Sequence, residues 1–349
     1  MNNEDHSEIP VLIAGAGAAG LTTAVALARQ GVESLLVERR PDLSALPRAT
    51  SISTRSMELF RSWGLEGEIR AGGTEGEWLM WLCETLAQAS AGSVLSAGYP
   101  TKEQSAVVSP TGPAIVPQDH LEPVLLRHLA SLDAGHARFG TALVDVEDRP
   151  DGVRAVLRDV GTGELRTVHA RYLVAADGAH SAARRSLGIE MHGPDNLWEA
   201  VTALFRAPLW DLVGDHRYGL YSVAQPEPGG SFFPAGLGDR WLYGRIWEPG
   251  AERLADFTEE RLKHDIRAGA GSATVRPQIE RIGGFTFAAQ LAESFRRGNS
   301  FLVGDAAHRV TPRGGTGMNT AIHDGYDLGW KLAWVLRGWA GPELLDSYE

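Results

Sequence analysis

Short apolar runs near the start of the chain predict a βαβ unit. Ile9–Ala14 and Ser34–Glu38 are brief and mostly apolar, which is typical of strands buried in a parallel sheet. Between them, residues 21–30 are rich in alanine and leucine and predict a helix that ends at Gly31. Strand, helix and strand together have the usual length of such a unit, about thirty residues.

Later apolar runs predict a hairpin and two more buried strands. Residues 144–146 and 153–157 alternate apolar and polar positions around Asp151-Gly152, a dipeptide that favours a tight turn between antiparallel strands. Residues 171–175 and 301–303 are short apolar runs without alternation, so we expect each to be covered on both faces.

The middle of the chain has a different pattern. From about position 195 to 287, aromatic residues are interspersed with glycine and proline, which predicts antiparallel strands of a second, smaller domain. After this region, the apolar and Trp-rich residues 317–336 predict a long packed helix. The aromatic positions in the middle region are Trp210, Tyr218, Tyr221, Phe232, Phe233, Trp241, Tyr243 and Trp247.

These elements predict an α/β fold, in which a Rossmann-like dinucleotide-binding domain carries a smaller, mainly antiparallel domain for the substrate. We expect the first domain to comprise residues 1–78, 114–190 and 291–349, and the second to comprise 79–113 and 191–290. The last residues, 347–349, show no helix stop signal. We therefore expect that a C-terminal portion of the protein is missing from this sequence.

Composition narrows the class of protein. The net charge of −11 disfavours nucleic-acid binding, and Cys83 is the only cysteine, which excludes an intrachain disulfide and a cysteine metal cluster. Residues 9–28 approach the length of a membrane span. However, glycines interrupt them and acidic residues precede them, so we expect no membrane segment and a cytoplasmic protein. The acidic residues are Glu4, Asp5 and Glu8.

The turn between the first strand and helix has the spacing Gly-x-Gly-x-x-Gly. In a dinucleotide-binding turn Gly15 permits the tight bend, Gly17 lets a pyrophosphate approach the backbone, and Gly20 lets the helix pack close to the sheet. Glu38, at the end of the second strand, can accept hydrogen bonds from ribose hydroxyls. The motif alone does not separate NAD from FAD. The candidate contacts in this unit are Gly15, Gly17, Ala19, Gly20, Glu38 and Arg39.

Three further segments resemble the class A flavin-dependent monooxygenases, the family of p-hydroxybenzoate hydroxylase and the aromatic polyketide hydroxylases. They are the Pro-Arg-Ala-Thr segment at 47–50, the Asp-Gly-Ala-His-Ser-x-x-Arg segment at 177–184, and the Gly-Asp-Ala-Ala-His segment at 304–308 with the glycine-rich loop at 312–319. The resemblance implies that the bound dinucleotide is FAD.

The resemblance also assigns expected roles to individual residues. Arg48 and Gln118 are expected beside FAD, with Arg48 near the pyrophosphate, where a guanidinium can pair two phosphate oxygens. Asp177 is expected to serve both FAD and the nicotinamide cofactor. Arg184 matches the arginine that is thought to meet the NAD(P)H phosphates.

In the third segment, Gly304 and Asp305 are expected at the ribitol of FAD. The backbone amides of the loop are expected to face the isoalloxazine ring, and Pro312 is expected to aim its carbonyl at the reacting oxygen or a substrate hydroxyl. Arg313 departs from the small or apolar residue that many relatives have. The loop residues named as candidates are Pro312, Gly315, Gly317, Met318 and Asn319, of which Pro312, Gly315 and Gly317 are the catalytic candidates.

The resemblance implies an enzyme of antibiotic biosynthesis that consumes NADPH or NADH and O₂ and hydroxylates an organic, aromatic or polyketide-like substrate through a C4a-hydroperoxyflavin. An NAD(P)H-dependent flavin reductase of the same fold, and a flavin-binding protein without turnover, are the alternatives. A halogenase is disfavoured because Trp78-Leu79-Met80-Trp81 does not fit its tryptophan motif. Hydrolase, Walker A and zinc-protease motifs do not occur, and no metal site is expected. His308 is either a hydrogen-bonded neighbour of the flavin or a base.

Overall fold

The computed structural model describes residues 9–227 and 229–349, so Glu4, Asp5, Glu8 and the first eight positions of the expected first domain lie outside it. The strands in the described part are β1 (Ile9–Ala14), β2 (Ser34–Glu38), β3 (Ser51–Ile52), β4 (Glu77–Cys83), β5 (Ser93–Ser96), β6 (Ala114–Ile115), β7 (Gly135–Phe139), β8 (Thr141–Arg149), β9 (Gly152–Asp159), β10 (Leu165–Ala175), β11 (Met191–His192), β12 (Trp198–Arg206), β13 (Tyr218–Val223), β14 (Gly230–Pro234), β15 (Arg240–Trp247), β16 (Gln278–Phe287), β17 (Gln290–Ala292), β18 (Arg296–Arg297), β19 (Ser300–Leu302) and β20 (His308–Arg309).

The α-helices in the same residues are α1 (Ala18–Arg29), α2 (Thr54–Ser62), α3 (Glu66–Arg70), α4 (Lys102–Val108), α5 (Gln118–Ala130), α6 (Ala182–Ser186), α7 (Trp210–Val213), α8 (Glu259–Ala270) and α9 (Gly317–Leu336). Short 3₁₀ helices cover Leu86–Ala91, Leu254–Asp256, Gly304–Ala306 and Pro342–Tyr348. In this part of the chain, no helix has both the length and the hydropathy needed to cross a bilayer.

The first sheet has β1 at its centre. Its main path runs β18-β19-β10-β1-β2-β7, and β1 pairs in parallel with β10 on one side and with β2 on the other. Both expected strands of the βαβ unit have the bounds that the sequence predicts. β10 begins before the expected residues 171–175, because its first half pairs antiparallel with β9.

The hairpin expected around Asp151-Gly152 is confirmed as β8 and β9, but its turn lies one residue earlier. Arg149 pairs with Gly152, so Pro150 and Asp151 form the turn and Gly152 belongs to the strand. Gly152 has a φ of +146° there, and an added Cβ would lie 2.6 Å from the carbonyl oxygen of Ala170. A side chain at this position would therefore clash with the neighbouring strand β10.

The second sheet contains most of the aromatic middle region. Its order is β16-β12-β15-β14-β13-β4-β5, and its pairs are antiparallel except for β4 with β13. Tyr221, Phe232, Trp241 and Tyr243 are completely buried, so these aromatic residues form the core of this half of the molecule. The chain thus has a mixed α/β fold with sheets of both kinds. The exact division into two domains stays a prediction.

Helix α9 packs closely against α1. An added Cβ on Gly325 would lie 2.4 Å from the carbonyl oxygen of Ala19, and one on Gly329 would lie 2.7 Å from the Cβ of Ala26. Because the two helices touch through these small residues, the start of α9 is held near the turn that begins α1. The packing therefore brings the two glycine-rich segments of the sequence to the same side of the first sheet.

Candidate functional site

A large cavity of about 2,350 Å³ lies between the two sheets. The residues at the carboxyl ends of four parallel strands line it, namely Ala14, Val37, Ala176 and Val303. This edge of an open α/β sheet is where ligands generally bind. Among the sequence candidates, the cavity is lined by Gly15, Gly17, Ala19, Glu38, Arg39, Arg48, Gln118, Asp177, Gly304, Asp305, Pro312, Gly315, Gly317 and Met318. Gly20, Arg184 and Asn319 do not line it.

The three glycines of the first turn are needed for different structural reasons. Gly15 has a φ of +109°, and an added Cβ would lie 2.2 Å from the carbonyl oxygen of Ala176. A Cβ on Gly20 would lie 2.0 Å from the carbonyl oxygen of Gly15, so this glycine permits the close packing that the sequence predicts. Around Gly17 the space is open, and the nearest atom to an added Cβ is Oε1 of Glu122 at 3.8 Å. Only Gly17 therefore leaves room for a ligand.

Glu38 ties the end of β2 to the first turn. Its Oε2 accepts a hydrogen bond from the backbone N–H of Ala16 at 2.9 Å, and its Oε1 accepts one from Arg40 at 2.9 Å. Each carboxylate oxygen has two lone pairs, so both oxygens can still accept a bond from a ribose hydroxyl. Arg39 follows at the cavity wall and is exposed.

Glu122 is a cavity residue that the sequence reasoning missed. It is 3% exposed, and Nε2 of Gln118 donates to its Oε1 at 2.6 Å. Burial raises the pKa of Glu122 to about 7, although the bond from Gln118 and the charges of Arg48 and Arg40 favour the carboxylate. The four-residue spacing from Gln118 on α5 was the available signal, because it puts both side chains on one face of the helix.

Asp177 lies at the cavity wall where β10 meets α6. Its Oδ2 accepts hydrogen bonds from the backbone N–H groups of Ala182 at 2.7 Å and Ala183 at 3.2 Å. Its Oδ1 is buried without a hydrogen-bond partner among the described residues. A buried acceptor without a partner is costly, so this atom is suited to a bond from a ligand.

Arg184 differs from the sequence expectation. It is 8% exposed, and its guanidinium donates from Nη1 to the carbonyl oxygen of Ala306 at 3.0 Å and from Nη2 to that of Ala179 at 3.2 Å. The side chain therefore joins two loops instead of facing the cavity, because both backbone carbonyls need a donor in this buried place. The neighbouring Arg185 is exposed and does line the cavity.

His308 is held by α9 and does not line the cavity. Its Nε2 lies 2.6 Å from Oδ2 of Asp324, which also accepts the backbone N–H of Gly304 at 2.8 Å. Burial lowers the pKa of His308, but the hydrogen bond and charge of Asp324 outweigh burial and raise the pKa above its ordinary value. This placement favours a structural role for His308 over that of a base, and a contact between His308 and the flavin stays a prediction. Asp305, by contrast, is exposed at the cavity wall.

The glycine loop before α9 is folded into a turn. The N–H of Gly315 donates to the carbonyl oxygen of Pro312 at 3.0 Å. The Gly315 N–H is therefore engaged within the loop, whereas the Pro312 carbonyl oxygen keeps a second lone pair for another donor. The expected roles of both residues stay predictions. The N-terminus of α9 has no side-chain cap at Thr316, which leaves its first N–H groups for another acceptor.

The side chain of Asn319 holds the loop from inside the protein, and the expected contact of its backbone N–H with the cofactor stays a prediction. It is 4% exposed, and its Oδ1 accepts bonds from the N–H of Ser53 at 2.8 Å and the hydroxyl of Ser56 at 2.9 Å. Its Nδ2 donates to the carbonyl oxygen of Ser51 at 3.1 Å. The side chain is thus turned into the protein, where it satisfies backbone and hydroxyl groups next to the loop.

These features fit FAD. The uncapped N-termini of α1 and α9 are both suited to negative charge, the first for a pyrophosphate and the second for a reduced flavin ring. Gly17, with the open space around it, and Asp177, with its unpaired Oδ1, both line this cavity. In residues 9–227 and 229–349, no group of three or more His, Cys, Asp or Glu side chains could hold a metal ion.

Comparisons with known proteins identify the family to which the chain belongs. The family described as "FAD binding domain" matches residues 8–349. Aklavinone 12-hydroxylase of Streptomyces peucetius is 41% identical over 98% of this chain and 71% of its own length. The flavin-dependent monooxygenase PieE, solved with FAD and substrate, superposes with a TM-score of 0.91 at 33% identity. Aklavinone-11 hydroxylase, solved with FAD and aklavinone, gives 0.89 at 38% identity.

The match to PieE includes 98% of this chain and 60% of the PieE chain. The match to aklavinone-11 hydroxylase includes 100% of this chain and 66% of that chain. The matches confirm the resemblance to class A flavin-dependent monooxygenases that the three sequence segments indicated. This chain therefore belongs to the FAD-binding domain family, within its flavin-dependent monooxygenases and aromatic hydroxylases.

Proposed function

We propose that the protein is an FAD-dependent monooxygenase that uses NADPH or NADH and O₂ to hydroxylate a large, planar aromatic compound. The observation that carries this proposal is one continuous cavity that reaches from Gly17 past Gly315 to the aromatic wall of the second sheet. Its volume of about 2,350 Å³ exceeds the usual volume of a pocket for one small ligand, about 300–1,000 Å³. The cavity has room for a dinucleotide and a second molecule.

In this proposal the dinucleotide lies along the first sheet. The adenosine ribose is bound by Glu38, the pyrophosphate lies over Gly17 beside Arg48, and the ribitol is near Asp305. The isoalloxazine ring then lies against the loop that contains Gly315. When bound, FAD takes up two electrons from NAD(P)H and supplies them to O₂, chemistry that protein side chains do not provide.

The aromatic wall of the second sheet is the proposed substrate wall, and it favours a planar, largely apolar compound. Aromatic side chains of β12, β14, β15 and β16 line the cavity there, and flat rings can stack on them. Two of the relatives named above are aklavinone hydroxylases, so we propose a polycyclic phenol or quinone of similar chemistry. The aromatic residues of these four strands that line the cavity are Trp198, Phe233, Trp247, Phe285 and Phe287, and Trp78 of β4 lines it as well.

The chain's own residues contribute position and charge rather than proton transfer. Pro312, Gly315 and Gly317 shape the loop so that the N-terminus of α9 faces the ring, where its dipole stabilises negative charge. For the NAD(P)H phosphates, we propose Arg185 as the contact, because it is exposed at the cavity wall and Arg184 is not.

The test is consumption of NADH and NADPH by the FAD-loaded protein, with and without aklavinone and other planar polycyclic phenols. We expect at least one compound to stimulate consumption and to give a product heavier by one oxygen atom. H₂O₂ is measured in parallel to count electrons that do not reach the product. If no compound in the panel is oxygenated and all electrons appear in H₂O₂ at an unchanged rate, the protein is a flavin reductase and the proposal is wrong.

A further inference from the structure

The carbonyl oxygen of Gly315 is surrounded by hydrogen-bond donors. The hydroxyl of Tyr99 donates to it at 2.7 Å, the hydroxyl of Ser51 at 3.3 Å and Nδ2 of Asn319 at 3.3 Å. The same Nδ2 also donates to the Tyr99 oxygen at 3.1 Å. The shortest bond to the carbonyl is therefore the one from Tyr99, and it is supported by a closed network.

Tyr99 comes from the opposite side of the cavity. It follows β5 of the second sheet, and the preceding residues Ser96, Ala97 and Gly98 line the cavity. The Tyr99 ring is 9% exposed and packs edge-on against Trp78, with ring centroids 5.7 Å apart. Burial raises the pKa of Tyr99, so its hydroxyl keeps the proton that it donates. A segment of the proposed substrate wall thus holds the flavin-side loop.

The bond fixes the direction of one peptide group. In a trans peptide the C=O of one residue and the N–H of the next point in opposite directions. When Tyr99 holds the Gly315 carbonyl inside the protein, the N–H of Thr316 points away from Tyr99 and Ser51. Gly314 and Gly315 have φ values of +83° and +61°, and neither limits the backbone as a side chain would. The direction of this N–H therefore depends on the donors around the carbonyl.

We infer that Tyr99 is a positioning residue: by fixing the Gly315–Thr316 peptide group it holds the loop so that the N-terminus of α9, at the cavity-lining Gly317 and Met318, faces the isoalloxazine ring, and it thereby raises the reduction potential of bound FAD. The inference rests on the proposed placement of FAD along the cavity. Reduced FAD carries negative charge on the N1 and C2-carbonyl side of its ring, and a fixed backbone donor stabilises that charge. Without the Tyr99 hydroxyl, the peptide group can rotate and this stabilisation weakens.

The experiment measures the two-electron midpoint potential of bound FAD in Tyr99→Phe, which keeps the ring against Trp78 and removes only the hydroxyl. We expect the variant to bind reduced FAD about tenfold less well relative to oxidised FAD, a decrease in potential of about 30 mV. Ser51→Ala removes a longer bond and is expected to lower the potential by less. The control is Tyr218→Phe, because Tyr218 lies in the second sheet against Trp81 and does not line the cavity. It should keep the wild-type potential.

An unchanged potential in FAD-loaded Tyr99→Phe, or an equal decrease in Tyr218→Phe, would overturn the inference. If Tyr99→Phe does not fold, the test uses Ser51→Ala instead. The inference then requires that Ser51→Ala binds FAD and lowers its midpoint potential, and an unchanged potential would overturn the inference. The measurement uses a chemical or enzymatic reductant without NAD(P)H and without substrate. A protein that fails to hydroxylate any compound can therefore still support or contradict the role of Tyr99.

Discussion

The guanidinium of Arg184 donates from Nη1 to the carbonyl oxygen of Ala306 at 3.0 Å. Arg184 lies on α6, just after Asp177, and Ala306 lies in the loop that carries Asp305. The two proposed contacts to FAD are thus held at a fixed separation by one buried side chain. We therefore predict that Arg184 positions the site, and its direct contact with NAD(P)H stays a prediction from the family resemblance.

We predict that Arg184→Ala loosens FAD and lowers the melting temperature. The substitution leaves the buried Ala306 carbonyl and the partly buried Ala179 carbonyl without a charged donor, and a hydrogen bond from a charged group contributes about 1.5–3 kcal/mol. The measurements are the dissociation constant of FAD and the melting temperature of the apo-protein. Arg185→Ala is the matched variant, and it should keep both while it raises the NAD(P)H concentration needed for flavin reduction. If Arg184→Ala instead raises the NAD(P)H concentration needed for flavin reduction, and Arg185→Ala loosens FAD and lowers the melting temperature, Arg184 is the NAD(P)H contact that the sequence predicts.

The raised pKa of Glu122 predicts that the stability of the folded protein depends on pH in an unusual way. Its pKa is raised to about 7 from an ordinary value of 4.5, so between these values the folded protein holds a proton that the unfolded chain releases. The folded state then binds more protons, and its stability falls as the pH rises through this window. Glu122→Gln cannot ionise at this position, so the variant should not lose stability in this pH window.

Between pH 5 and pH 7.5, the wild type should lose about 2 kcal/mol of unfolding free energy relative to Glu122→Gln. It is measured by urea unfolding of the apo-protein at both pH values. Glu164→Gln, at an exposed turn, is the control and should show no such trend. A wild-type pH dependence in Glu122→Gln would mean that the carboxyl group ionises normally.

Gly17 and Gly15 should respond differently to the same substitution. Gly17→Ala places a methyl group in open space, with no protein atom closer than 3.8 Å, so the fold should persist. We predict a loss of FAD affinity of at least tenfold, about 1.4 kcal/mol, because the methyl group occupies the path of the pyrophosphate. Gly15→Ala places its Cβ 2.2 Å from a carbonyl oxygen, so it should impair folding itself. Unchanged FAD binding in Gly17→Ala would place the pyrophosphate elsewhere.

The contact between α1 and α9 predicts a stability effect far from the chemistry. Gly329→Ala puts its Cβ 2.7 Å from that of Ala26, and we expect overpacking to cost about 1–3 kcal/mol of unfolding free energy. Gly67→Ala on α3 is the matched control, because an added Cβ there meets nothing within 4 Å. It should be neutral or stabilising by up to about 1 kcal/mol. Equal effects in chemical denaturation would show that the helices can separate without cost.

The sequence predicted the elements whose signal is local. Ile9–Ala14, Ser34–Glu38 and the helix from Gly317 to Leu336 have the expected bounds, because apolar runs and glycine spacing specify them without distant partners. The first half of β10 was missed, since only its pairing with β9 makes it a strand. The direction of the Arg184 and Asn319 side chains also depends on residues more than a hundred positions away.

FAD is predicted to span the cavity from the first glycine turn to the second glycine loop. A crystal structure of the protein crystallised with FAD tests this prediction directly. We predict the adenosine ribose at Glu38, the pyrophosphate over Gly17, and the isoalloxazine ring against the loop that contains Gly315. An FAD molecule whose ring lies at Glu38, or whose pyrophosphate does not contact the N-terminus of α1, would contradict the account.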